Sequence, residues 1–101
     1  MNMTNIVYII EVESTKKARE IVDTYAKAIG AIQEHDGSFT VGGVIIDWSH
    51  AGWGRAEIYF DGPKEYVETA FADFKNLTGI NKEPATGTSQ IYEMPVHMLL
   101  V

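Results

Sequence analysis

The sequence predicts an α+β domain whose elements run β-α-β-β-α-β. Three observations carry that expectation. Hydrophobic periodicity switches in this order between two and three-to-four residues, two helical stripes lie between strand-like runs, and turn signals such as Asp36-Gly37 and Gly79 mark the junctions.

Asn5 to Val12 is β-branched and aromatic, and both of its alternating sets, Ile6/Tyr8/Ile10/Val12 and Val7/Ile9, are apolar. Such a strand expects cover on both faces. Ser14 or Thr15 can cap the helix that follows, Thr15 to Ile29, whose Ala18, Ile21, Val22, Tyr25, Ala26 and Ile29 recur at helical spacing. Gly30 suits the position just past its end. Asp36-Gly37 is a hairpin signal that turns a short strand within Ala31 to His35 back into Ser38 to Val41. Gly42-Gly43 interrupts the run before Val44, Ile45, Ile46 and Trp48 resume it, and reads as a bulge or a close backbone approach. Ser49 to Gly54 reads as a second reversing loop.

Arg55 to Phe60 alternates cleanly, with Ala56, Ile58 and Phe60 on the core side and Arg55, Glu57 and Tyr59 on the wetter side. Asp61-Gly62-Pro63 reads as a helix start, with Pro63 in the first helical position and Asp61 as a capping acid. Val67, Ala70, Phe71, Phe74 and Leu77 form the stripe of that second helix, which reaches Thr78. Ile80 to Gly87 has loop composition, and Gln90 to Val101 reads as the last strand, flawed by Pro95.

This order matches the ferredoxin-like α+β sandwich: one domain over residues 1–101, with an antiparallel four-stranded sheet and two helices on one face. Helices on one face leave the other to be covered, and exposed apolar patches above a few hundred Å² usually mark interaction sites. A homodimer through the open sheet face, or through the last strand with its apolar Met98 to Val101, is the economical expectation.

Composition narrows the chemistry. With 46% hydrophobic and 22% charged residues the chain sits near the averages of soluble domains, so disorder and fibrous repeats are not expected. The absence of cysteine excludes disulfides, thiolate nucleophiles and cysteine zinc sites. The net charge of −6 is spread over both halves, and no basic cluster is present to hold nucleic acid. Nothing in the sequence reads as a membrane span or an export signal, so a cytoplasmic location is expected.

The stretch from Asp47 to Arg55 concentrates both tryptophans, His50 and two glycines, and Trp48, His50, Trp53, Arg55 and Glu57 are the candidate partner-binding residues. Tryptophan offers a large contact area and one N–H donor, and glycines at 52 and 54 leave Trp53 free to project. The competing reading has Trp48 capping the core and Trp53 packed on its hairpin. His35, His50 and His97 lack ligand spacing even with Asp36, Asp47 or Glu57 beside them, so no metal and no cofactor are expected. Ser49 beside His50 is no nucleophile–base spacing, and no catalytic residue is assigned. Lys16, Lys17 and Arg19 oppose the macrodipole of the first helix, but the i,i+4 pairs Lys16/Glu20, Arg19/Asp23 and Asp23/Lys27 explain them as a solvated face.

The functional expectation is a small acidic interaction protein, a regulator or inhibitor of the anti-defence kind that phages and mobile elements encode. The alternative is a dimeric α/β-barrel enzyme or ligand-binding protein, in which two such sheets enclose a pocket. The open sheet face separates them: a concave pocket holding Arg55, Glu57 or His97 favours the enzyme, and a flat apolar patch favours interaction.

Overall fold

Caps set the limits of the first helix. Ser14 has an extended backbone and its Oγ accepts the Lys17 N–H at 3.1 Å, while Gly30 takes φ 72° so that its N–H reaches the Ala26 and Lys27 carbonyls. The structure, a computed structural model, describes residues 5–88. Its elements are β1 (Asn5–Val12), α1 (Thr15–Ile29), β2 (Ile32–Gln33), β3 (Phe39–Val41), β4 (Val44–Gly52), β5 (Arg55–Pro63), α2 (Lys64–Thr78) and β6 (Ala85–Thr88).

All strands pair antiparallel in one sheet of order β2-β3-β4-β5-β1-β6. The class is α+β, but the sheet has six described strands where the sequence reading expects four. The short hairpin at Asp36-Gly37 joins the sheet beyond β4 rather than standing apart from it: Glu34 N–H reaches the Ser38 carbonyl and Asp36 Oδ1 accepts from both Ser38 N–H and Oγ. Both helices cover the same face. Ala18, Val22, Tyr25 and Ala26 of α1 and Val67, Phe71 and Phe74 of α2 are buried against Ile10, Ile46, Ile58 and Phe60. Tyr25 ties the two helices together by donating its hydroxyl proton to the Ala70 carbonyl at 3.0 Å.

The start of α2 differs from expectation. Pro63 occupies the N-cap with no side-chain bond, and Asp61 and Gly62 belong to β5. The reason is the ladder: β1 pairs with β5 without interruption from Val12↔Ala56 to Asn5↔Pro63, so those residues are held in the sheet instead of turning into a cap. Gly79, at φ 74°, closes α2 as anticipated.

Gly42-Gly43 is a two-residue hairpin rather than a bulge. Val41 pairs with Val44, and both glycines have positive φ, 55° and 84°. The other alternative, a close backbone approach, is found at Gly43: an added Cβ on Gly62 would sit 2.7 Å from the Gly43 carbonyl oxygen. Because that neighbour is backbone, it cannot swing aside. Gly62→Ala is expected to cost about 1–3 kcal/mol by overpacking the contact between β5 and the hairpin, read as a lower urea midpoint at constant slope.

Ser49 to Gly52, expected in a loop, continues β4 through an irregularity between His50 and Gly52, and the turn itself is only Trp53-Gly54. A strand also forms inside the segment of loop composition: Ala85–Thr88 pairs with β1 as Ile9↔Ala85 to Ile6↔Thr88. Gly87 is admitted there because Val7 Cγ1 stands 3.3 Å from where its Cβ would be. The expected strand from Gln90 to Val101, with Pro95 and His97, lies outside the described residues. No described helix is long and apolar enough to cross a membrane.

Candidate functional site

Alternation along β4 and β5 sorts the candidate residues onto two faces. Trp48 pairs with Ile58 and His50 with Ala56, so both lie on the face that carries the helices, whereas Ser49 pairs with Glu57 on the opposite, open face with Arg55. Trp48, His50, Trp53, Arg55 and Glu57 therefore form no single patch. Ser49 and His50 point to opposite sides of the sheet and cannot act as nucleophile and base.

Trp48 packs partly buried on the rim of the core, with the Arg19 guanidinium 5.5 Å from its ring centre and the His50 ring edge-on at 5.6 Å. Arg19 is used there, and among the described residues none of the anticipated i,i+4 pairs of α1 closes into an ion pair. The ion pair described is Arg55–Glu11 at 2.9 Å, with both side chains about half exposed at 52% and 54%, which makes it a surface contact of about 0.2–1 kcal/mol. Arg55 thus has a partner within its own sheet. Lys82 Nζ donates to the Glu11 carbonyl beside it, and these groups rim a shallow depression of about 410 Å³ between β1 and the start of β6.

Trp53 has the most exposed side chain of these five. It is fully solvent-accessible, at 100%, on the tip of the β4–β5 hairpin, between Gly52 at φ 87° and Gly54 at φ 76°. Its own φ is 54°, the one positive value at a non-glycine among the described residues. The turn needs positive φ at both central positions, a demand that Asn-Gly or Gly-Gly meets without strain. The Gly42-Gly43 turn meets it in that way within the same chain.

The open face has a polar centre that sequence reading did not find. Asp47 lies directly across from Tyr59, and Asp61 lies two residues further along β5 between Val7 of β1 and Ile45 of β4. Tyr59 donates its hydroxyl proton to Asp47 Oδ2 at 3.4 Å, and Asp47 Oδ1 accepts the Trp48 N–H at 2.8 Å. Desolvation raises the Asp47 carboxyl above its usual range against these hydrogen bonds, and Asp36 adds to the rise. Asp61 is 5% exposed and its Oδ1 has no hydrogen-bond partner among the described residues. The signal that could have found Asp61 was its position: one residue beyond Phe60, it continues the open-face set Arg55, Glu57, Tyr59.

Tyr59 is pushed up to about 12, by burial first and then by Asp47, and Tyr25 to about 12, by burial first and then by Asp73. Both folded values exceed the ordinary tyrosine value of 10, so the fold holds these protons more tightly than the unfolded chain does. The stabilisation is complete below about pH 10 and is lost as pH rises through 12. The thermal midpoint should fall steeply over that window, with the part of the tyrosinate absorbance that belongs to Tyr25 and Tyr59, read as the part lost in Tyr25→Phe and Tyr59→Phe, appearing together with unfolding rather than before it.

Among the described residues no three His, Asp or Glu side chains are placed to hold one metal ion. Comparison with known protein families, with curated proteins and with solved structures finds no match.

Proposed function

We propose that this chain is a protein-binding module of ferredoxin-like type that acts as a regulator or inhibitor, with the tip of the β4–β5 hairpin as its anchor. The observation that carries the reading is Trp53: a fully exposed indole on a residue forced to positive φ. A left-handed conformation costs a non-glycine residue roughly 1–2 kcal/mol, and an exposed ring returns nothing to the fold for it. A partner that buries the ring does. The ferredoxin-like reading draws on the order β6-β1-β5-β4, in which the first strand and the strand before α2 are central and β2 and β3 are additions at one side.

A homodimer through the open face is supported by half-buried Val7, Ile9 and Ile45 there, and opposed by the like charges that Asp47 and Asp61 of two copies would bring together. Sedimentation separates the cases by mass. The dimeric-barrel enzyme has less support, because Arg55 is engaged by Glu11 and the depression it rims leaves out Glu57. The test of the main reading is affinity capture from the native host on two columns, the parent chain and Trp53→Ala. A protein retained by the first and lost from the second is the expected result; identical captures would place the contact elsewhere.

A further inference from the structure

We propose that the helix side of the β4–β5 hairpin, where Arg19 lies stacked on Trp48 beside His50, is a seat for a carboxylate side chain of the protein that Trp53 anchors. This rests on reading the chain as a protein-binding module and names the chemistry of the partner at that contact: an acidic segment next to the pocket that takes the indole.

Arg19 is exposed, and its guanidinium carbon stands 5.5 Å from the centre of the Trp48 ring, with the His50 ring edge-on to the same indole at 5.6 Å. Stacking engages the flat face of a guanidinium and leaves the N–H groups around its rim to bond elsewhere. Among the described residues no carboxylate closes on them: Asp23, one turn along α1, forms no ion pair with Arg19. Lys16, three residues before Arg19 and so its neighbour on the helix surface, is also without an ion pair there, and the first turn of α1 carries no acid. Trp48 sits partly buried on the rim of the core, which fixes the indole while leaving Arg19 open to approach. A fork held in one plane by that ring is preorganised for the two oxygens of a carboxylate and has less side-chain freedom to lose on binding.

Charge selects the side of approach. On the open face of the same two strands Asp47, Glu57 and Asp61 are acidic, and Arg55, the cation there, is already paired with Glu11. On the helix side the other residues of β4, Val44 and Ile46, are uncharged, and Arg19 and Lys16 stand over its far end. An acidic segment is repelled by one face and drawn to the other. Spacing ties the seat to the anchor: residues 48 and 53 are roughly 16 Å apart at strand rise, so an extended partner segment of about five residues reaches both, with a ring N–H of His50 between them as a further donor. One arginine and one lysine suit an isolated carboxylate, whereas a nucleic-acid backbone would run onto Glu13, directly before the cap of α1, and is opposed by the net charge of −6.

The test is a titration of the full chain, followed by amide, indole N–H and arginine Nε–H shifts, with the capped peptide acetyl-Asp-Gly-Asp-Gly-Asp-amide and its neutral counterpart carrying asparagine for each aspartate. Saturable shifts at Arg19, Trp48 and His50, at least tenfold weaker for the asparagine peptide, are expected. Arg19→Gln should weaken binding of the aspartate peptide at least fivefold, and Arg19→Lys, which keeps the charge without the fork, at least twofold, each with the spectrum away from α1 and β4 unchanged. Trp53→Ala should leave this titration unaltered, so failure of the hairpin anchor and failure of this seat are told apart: a partner lost from a Trp53→Ala column but held in full by an Arg19→Gln column would keep the anchor and overturn the seat. Equal binding of the two peptides, or shifts indifferent to Arg19→Gln, would overturn the proposal. Tighter binding of a hexathymidine strand than of the aspartate peptide at the same residues would replace the protein partner by nucleic acid and overturn it as well.

Discussion

Phe60→Ala is expected to remove a large part of the stability of this domain, about 3–5 kcal/mol out of the 5–15 kcal/mol typical of one domain. Phe60 is completely buried in the middle of β5, and its ring meets Tyr25 at 6.2 Å, Phe71 at 5.5 Å and Phe74 at 5.1 Å, each edge-on. It is therefore the point where both helices and the sheet touch. Backbone pairing with Tyr8 on one side and Ile46 on the other keeps the site from collapsing into the space an alanine leaves. Phe71, slightly exposed and with one flank on Tyr8, should fall at the lower end of the same range when truncated. Urea unfolding reads the loss as a shifted midpoint at constant slope. A loss under about 1 kcal/mol at Phe60 would mean that the aromatic cluster re-closes and that the helices are held mainly elsewhere.

The parts of this fold that sequence reading recovers are those decided within one element. Asn5 to Val12 and Thr15 to Ile29 agree with β1 and α1 at both ends, because β-branched alternation, a serine cap and a C-terminal glycine act through neighbouring residues. Errors arise where a distant strand overrides local composition. Asp61-Gly62 has the composition of a helix start, yet β1 runs far enough to hold it in a ladder. Ser49 to Gly52 and Ala85 to Thr88 have loop composition, yet each lies beside a strand with free backbone groups, and pairing satisfies donors and acceptors that a loop would leave to water. Glycine in such a segment allows the strand as readily as the turn.

The candidate site divides along the same line. That Trp53 projects follows from glycines on either side, a purely local matter. That Trp48 lies on the core side follows from the alternation Val44, Ile46, Trp48, but that it packs at the rim beside Arg19 depends on which face of β4 meets α1, which no count along the sequence supplies. Asp61 was concealed by a second role that its sequence neighbours suggested, since an acid before Gly-Pro is a common cap. Its isolation comes from Val7 and Ile45, which are 54 and 16 positions away and join it only through the register.

Trp53→Ala should separate binding from stability. With the indole fully exposed and no described contact holding it, truncation removes nothing from the folded core, so the thermal midpoint should stay nearly unchanged. Trp53→Asn goes further: asparagine tolerates positive φ, so a turn now strained at 54° should be held at least as firmly, with an equal or higher midpoint. If the ring enters a pocket on the partner, both variants should weaken binding by about 2 kcal/mol or more, roughly thirtyfold in the dissociation constant and mostly as faster release. The Gly42-Gly43 turn shows that this backbone has no need of an aromatic side chain, so the proposed contact with a partner supplies what the fold does not: a return for the cost of a positive φ at Trp53. A variant that unfolds early but binds normally once folded would reverse that inference and make Trp53 a structural residue.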